Sequence, residues 1–219
     1  MGLIHRLPIH IQNQIAAGEV VERPASVLKE LLENALDASA ASVHTDLEAA
    51  GKKLIRVVDD GTGIGPEEAR LALEKHTTSK LRREEDLWGL TTLGFRGEAL
   101  ASIASISRLE LTTSLAGASN GIHIRMEGSK VVDELPAPPV QGTTVCVRDL
   151  FFNTPARKKF LKTDSTELYH GLETVMQQAL ANPSVAFSVS NNGRKVLDAP
   201  GTGTYLGRIR DLFGQEFVE

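Results

Sequence analysis

A chain of 219 residues, 41% hydrophobic and 24% charged, is long enough for one large domain with its own core. A formal net charge of −4 excludes nucleic-acid binding through bulk charge, so any such contact must come from a local patch. The single cysteine, Cys146, excludes an internal disulfide. It falls in the apolar run "TTVCVRDL", where a buried strand thiol in a reducing cytosol is expected.

The first residues, "MGLIHRLPIHIQ", lack the apolar core of a signal peptide, and Arg6 breaks the myristoylation pattern. No stretch approaches the ~20 apolar residues of a membrane span. The pattern predicts a short helix from Ile9 to Ala17. Arg23-Pro24 then leads into a second helix with Pro24 near its first turn. Its segment "LKELLENALDA" carries Glu30, Glu33, Asn34 and Asp37. A helix turns by about 100° per residue, so with Glu30 at zero these four share an arc of about 100°. Val27, Leu28, Leu31, Leu32, Ala35 and Leu36 fill the other side. A solvated face usually mixes signs. This one holds no cation between Glu30 and Asp37.

"SVHTDLEAAGKKLIRVVDD" reads as a hairpin turning at Ala50-Gly51. The glycine turn "GTGIG" follows, and then the helix "PEEARLALEK", whose first-turn Glu67 and Glu68 suit the helix dipole. The glycines at 61, 63 and 65 do not match a dinucleotide-binding loop, in spacing or in hairpin context, and no Walker A loop occurs. Phosphates would therefore need another cradle. "TTLGFRGEALASI" offers one: Gly94 and Gly97 permit close backbone approach, Arg96 adds a charge, and a helix start follows. Residues 77–92 between them read as a polar loop.

"RLELTTS", "GIHIRMEG" and "TTVCVRDLF" are strands of one sheet, with "ELPAPPV" a proline-bearing connector between the last two. "NTPARKKFL" begins a short helix with three adjacent cations, Arg157, Lys158 and Lys159. These form either a solvated face or a patch toward DNA or phosphate. A longer helix "TELYHGLETVMQQALAN", a hairpin "VAFSVSNNGRKVLDA" and a last helix "TYLGRIRDLFGQEFVE" complete the chain. The histidines show no metal-ligand spacing. The fold class is α+β, with an antiparallel-rich sheet and helices on one face.

The order of "ELLENALDA", "DDGTGI", "GFRGEAL" and a "GTT" strand resembles the GHKL ATPase superfamily, whose fold is the Bergerat-type sandwich. Within it, "NQIAAGEVVERPASVLKELLENALDA", "HTTSK", "TLGFRGEALASI" and "LFFNTPARKKFL" resemble the MutL mismatch-repair proteins over essentially the whole chain. The resemblance implies ATP and Mg²⁺ as ligands. It makes Glu30 the general base for the attacking water, Asn34 the Mg²⁺ ligand and Asp59 the reader of the adenine amine. Gly63 would let the base approach, and Thr143 would support Asp59 and the base through water. Thr78, Lys80, Gly94, Arg96 and Gly97 would form a lid over the phosphates. Glu33 and Asp37 support the site or are merely solvated.

The resemblance further implies a slow ATPase of the bacterial cytosol or nucleoid that dimerises on binding ATP. Such a clamp would couple a mismatch-recognition protein of the MutS type to downstream nicking and unwinding. A non-catalytic, nucleotide-gated interaction module is the alternative. Residues 1–205 are expected to form the ATPase domain and 206–219 the start of a linker to an S5-like subdomain. In the family that subdomain supplies a lysine to the γ-phosphate and much of the DNA groove. The chain ends where it would begin, so weak nucleotide binding or poor turnover is expected.

Overall fold

The computed structural model describes residues 8–74, 77 and 98–217. In chain order the elements are α1 (Ile9–Val20), α2 (Pro24–Asp37), β1 (Ser42–Glu48), β2 (Leu54–Asp59), α3 (Pro66–Ala72) and α4 (Ala99–Ser105). Then come β3 (Arg108–Thr113), β4 (Gly121–Glu127), β5 (Lys130–Ala137), β6 (Thr143–Arg148), α5 (Pro155–Phe160), α6 (Asp164–Ala181), β7 (Ala186–Asn191), β8 (Arg194–Ala199) and α7 (Tyr205–Phe213). The strands form one eight-stranded sheet in the order β5-β4-β3-β6-β2-β1-β7-β8. Every pairing is antiparallel except β1 with β7. The expected mostly antiparallel sheet with helices on one face is the observed fold.

Alternation along the strands divides the two faces. Val43, Leu47, Ile55, Val57, Leu109, Leu111, Ile124, Val145 and Val147 turn inward and pack with Val27, Leu28, Leu31 and Leu32 of α2 and Ile103 of α4. The opposite face is polar. In one register row Asp133, Arg125, Glu110, Cys146, Arg56 and Asp46 lie side by side across six strands. Cys146 is buried as expected, but on this polar face rather than in the helix-side core. Burial pushes its thiol up, and Glu110 adds to the effect.

The connector expected at 134–140 is corrected in part. Glu134 to Ala137 belong to β5, an edge strand paired with β4 through a two-residue turn at Gly128 and Ser129. Both turn residues have positive φ, at 56° and 71°, which gives the strand-matched hairpin turn. Pro136 is tolerated because an edge strand leaves one side of its ladder unpaired. The other hairpins follow the sequence, and β7–β8 turns on Asn192-Gly193, again with positive φ at both residues. α1 extends three residues beyond the predicted end, to Val20.

α7 is held to the sheet edge by a residue whose sequence context does not advertise it. Arg208 is fully buried, and its guanidinium donates to the carbonyls of Ala199 (2.8 Å), Pro183 (3.1 Å) and Val185. No helix among the described residues is long and apolar enough to cross a membrane.

Candidate functional site

The site begins where β2 ends. Asp59, Thr143 of β6 and Thr113 of β3 stand opposite one another in register at the same end of three adjacent strands. All three are buried, at 8%, 8% and 0% exposure, on the helix side of the sheet. Asp59 Oδ1 accepts the backbone N–H groups of Gly61 (2.9 Å) and Thr143 (3.3 Å). Its other oxygen makes no hydrogen bond among the described residues. Burial pushes the Asp59 carboxyl up. The two N–H bonds hold it back only in part, and neighbouring Asp60 adds to the rise. One oxygen of this carboxylate is thus committed to the fold, and the described residues leave the other without a hydrogen bond.

Asp60 behaves oppositely. Partial burial would raise its carboxyl, but bonds from Ser42 (N 2.8 Å, Oγ 3.0 Å) and Ala41 N (2.7 Å) outweigh this and hold it below the ordinary range. Asp60 is spent on pinning the start of β1. Of two adjacent aspartates, only one is left for a ligand.

The glycine turn docks this strand end onto α2. Thr62 N donates to Ala38 O (2.9 Å), just past the end of α2, and a Cβ on Gly61 would lie 2.7 Å from the same oxygen. Gly63 has φ +67°, and a Cβ there would meet Ser114 O at 1.8 Å. Gly142, before Thr143, is as constrained: φ is +71° and a Cβ would meet Asp59 O at 2.1 Å. Gly63 is thus required by backbone crowding alone. Gly63→Ala is expected to lower the melting temperature by several degrees, because the left-handed conformation and the Ser114 carbonyl both oppose a side chain. A thermal melt checks this, and an unchanged midpoint would show that the loop can move away.

α2 runs from this turn with its acidic face divided. Glu33 is buried, bonded to Lys29 Nζ (3.2 Å) and Gln178 Nε2 (3.4 Å), and so faces α6. Asp37 is exposed. Glu30 and Asn34 are half-buried. With ~1.5 Å of rise per residue, Asn34 stands roughly 6 Å and Glu30 roughly 12 Å along the helix from Ala38. The Asn34 side chain makes no hydrogen bond among the described residues. Those residues hold no cluster of three His, Cys, Asp or Glu side chains suited to a metal. Mg²⁺, which prefers oxygen, keeps waters and shares substrate phosphates, does not require such a cluster.

Thr78, Lys80, Gly94, Arg96 and Gly97 lie outside the described residues. Of the expected site residues, the structure brings Asp59, Gly63 and Thr143 together and joins them through Ala38 to the helix bearing Asn34 and Glu30. Two hollows, of about 340 and 580 Å³, have none of Glu30, Asn34 or Asp59 in their walls. The larger borders the glycine turn at Gly61 and Thr62. Sequence reasoning did not single out Thr113 or Gly142. Gly142 opens the "GTT" stretch without having been given a role, and the signal for Thr113 lies in strand register, which a linear pattern does not carry. Arg157 also departs from its two neighbours. Its guanidinium lies against Gly18 of α1 and donates to Ile15 O (3.4 Å), whereas Lys158 and Lys159 are exposed.

Residues 22–149 match the family of histidine kinase-, DNA gyrase B- and HSP90-like ATPases. The chain is 49% identical over 219 residues to the DNA mismatch repair protein MutL of Koribacter versatilis, covering 100% of this chain and 34% of that protein. It is 52% identical over 215 residues to MutL of Syntrophotalea carbinolica, covering 98% and 34%. It thus spans about a third of the length of these curated relatives. Among solved structures, the Aquifex aeolicus MutL ATPase domain complexed with ADP matches with a TM-score of 0.71 and 35% identity, over 89% of this chain and 70% of that one. On sequence and fold together, the chain belongs to the bacterial MutL family and corresponds to its N-terminal GHKL-type ATPase domain.

Proposed function

We propose that the chain binds ATP with Mg²⁺, hydrolyses it slowly, and uses the bound state to gate dimerisation of a clamp in DNA mismatch repair. The Asp59 carboxylate carries this reading. It is buried, one oxygen is already committed to backbone N–H groups, and it sits beside two glycines whose Cβ positions are sterically closed. An exocyclic amine is the donor that such an acceptor suits, and adenine presents one.

From there α2 leads toward the phosphates. Asn34 offers its amide oxygen to Mg²⁺, which when bound neutralises phosphate charge. Glu30, two turns from Ala38, accepts a proton from the water attacking the γ-phosphorus as the bond to ADP breaks and phosphate leaves. Thr143 steadies Asp59 and the base. Thr78, Lys80, Gly94, Arg96 and Gly97 are proposed to close over the phosphates.

The relatives named above support the wider role. In it two such domains pair on ATP, a MutS-type protein supplies the mismatch signal, and DNA is contacted through a basic patch. Lys158 and Lys159, exposed on α5, are better placed for that patch than Arg157, which leans back onto α1. The setting is the bacterial cytosol or nucleoid. Sedimentation velocity with and without a non-hydrolysable ATP analogue and Mg²⁺ tests the gate. The expected result is a shift from monomer to dimer on adding nucleotide. A monomer at saturating nucleotide would argue against the clamp while leaving ATP binding intact.

A further inference from the structure

We infer that Thr113 is a positioning residue for nucleotide recognition, tying both walls of the Asp59 site together and setting its preference for adenine over guanine. The inference rests on the placement of adenine at Asp59 proposed above. Thr113 is the last residue of β3 and is fully buried. Its hydroxyl has three polar neighbours, one on the glycine turn and two at the start of β6. Ile64 N donates to it at 2.9 Å, Gly142 O lies at 3.2 Å, and Thr143 Oγ1 lies at 3.0 Å.

A hydroxyl has one proton and two lone pairs. Thr113 therefore accepts from the glycine turn on one side and exchanges one bond with the start of β6 on the other. Ile64 follows Gly63, whose backbone is already pressed against Ser114 O, and Gly142 is pressed against Asp59 O. The one hydroxyl fixes the spacing of these two close-packed backbones. It also biases which way the Thr143 hydroxyl turns: when Thr113 gives its one proton to Gly142 O, Thr143 is the donor of the bond between the two hydroxyls.

That orientation matters for the base. Adenine presents an amine donor where guanine presents a carbonyl acceptor. Asp59 supplies a fixed acceptor, and a Thr143 hydroxyl held in one orientation adds to the discrimination. Once free to rotate, the same hydroxyl can suit either base. A site whose buried polar groups are fixed rejects the wrong partner because a group is left unpaired.

The test is calorimetric titration of the chain and of its Thr113→Val and Thr113→Ser variants with non-hydrolysable ATP and GTP analogues in Mg²⁺, with a thermal melt of each. Valine keeps the shape but strands the Ile64 N–H and the Gly142 carbonyl. The expected result is roughly tenfold or greater weakening for the ATP analogue and a narrowed ratio of ATP to GTP affinity. Serine, which keeps the hydroxyl, restores both. Should valine prevent folding, Thr113→Ala is read in the same way. A lower melting temperature with an unchanged base ratio would show a purely structural role and overturn the inference, as would an equal loss in the serine variant. Failure of the unmodified chain to bind the ATP analogue would instead overturn the reading of Asp59 itself, and the inference with it.

Discussion

Replacing Glu30 with alanine is expected to lower steady-state phosphate release by about 100- to 10,000-fold, the range spanned by a positioned general base. Affinity for a non-hydrolysable ATP analogue should stay close to that of the unmodified chain. The expectation follows from where α2 places each acidic residue. Glu33 is enclosed by Lys29 and Gln178 against α6, so its carboxylate is used within the fold. Glu30 is only half-buried and stands outside the apolar core. Its loss should therefore act on chemistry more than on folding or binding. Phosphate release and analogue affinity, measured on the same preparation, separate the two effects. Equal rates for variant and parent would favour the alternative reading, a nucleotide-gated interaction module in which turnover is incidental.

Asp59→Asn is expected to move stability and affinity in opposite directions. An amide oxygen still accepts the N–H groups of Gly61 and Thr143, so the turn keeps its bonds. The cost of a buried charge disappears. Burial raises the Asp59 carboxyl above its unfolded value, so the native state binds this proton more tightly than the unfolded chain does. The stability that Asp59 contributes is complete below the unfolded value and is lost as pH rises through the folded one. At pH 7 the ionised carboxylate is a net cost, and the asparagine variant should melt higher. Its advantage should shrink as pH falls through the folded value. Affinity for ATP should fall by roughly 10- to 150-fold, since a hydrogen bond to a charged group contributes about 1.5–3 kcal/mol. Paired melts across pH and paired titrations check both parts. A variant that melts lower at pH 7 would mean that Asp59 is satisfied by interactions other than these.

Much of this architecture is legible in the chain because its signals are local. Pro24 at the first turn of α2, the alternation in β1 and β2 and the Asn192-Gly193 turn each act within a few residues, and each element appears where its pattern places it. β5 was obscured because Pro136 and the prolines after it speak against a strand. Only its edge position, a property of the whole sheet, permits one. The acidic arc of α2 shows a different limit. A helical wheel gives angles but not neighbours, and the arrival of α6 over Leu28 and Glu33 decides which carboxylate is structural. Gly171 makes that approach possible, since a Cβ there would lie 3.2 Å from Leu28 Cδ1.

At the site itself, the strand running into a glycine turn at Asp59 and Gly63 was readable from local pattern, while their roles came only from the family resemblance. The buried row that joins Asp59 to Thr143 and Thr113 was not, because it depends on pairing among strands up to 84 residues apart. Arg208 is similar. Nothing in "GRIRDLF" says that the two terminal nitrogens of this cation donate to three backbone carbonyls.

The most direct measurement is calorimetric titration of the chain with a non-hydrolysable ATP analogue and Mg²⁺, beside Asp59→Asn verified as folded by its melt. Saturable binding by the unmodified chain, lost or greatly weakened in a variant that melts no lower, is the predicted result. Equal binding by both proteins would contradict the placement of the adenine at Asp59. Absence of binding by the folded, unmodified chain would contradict the proposal that these residues form an ATP site.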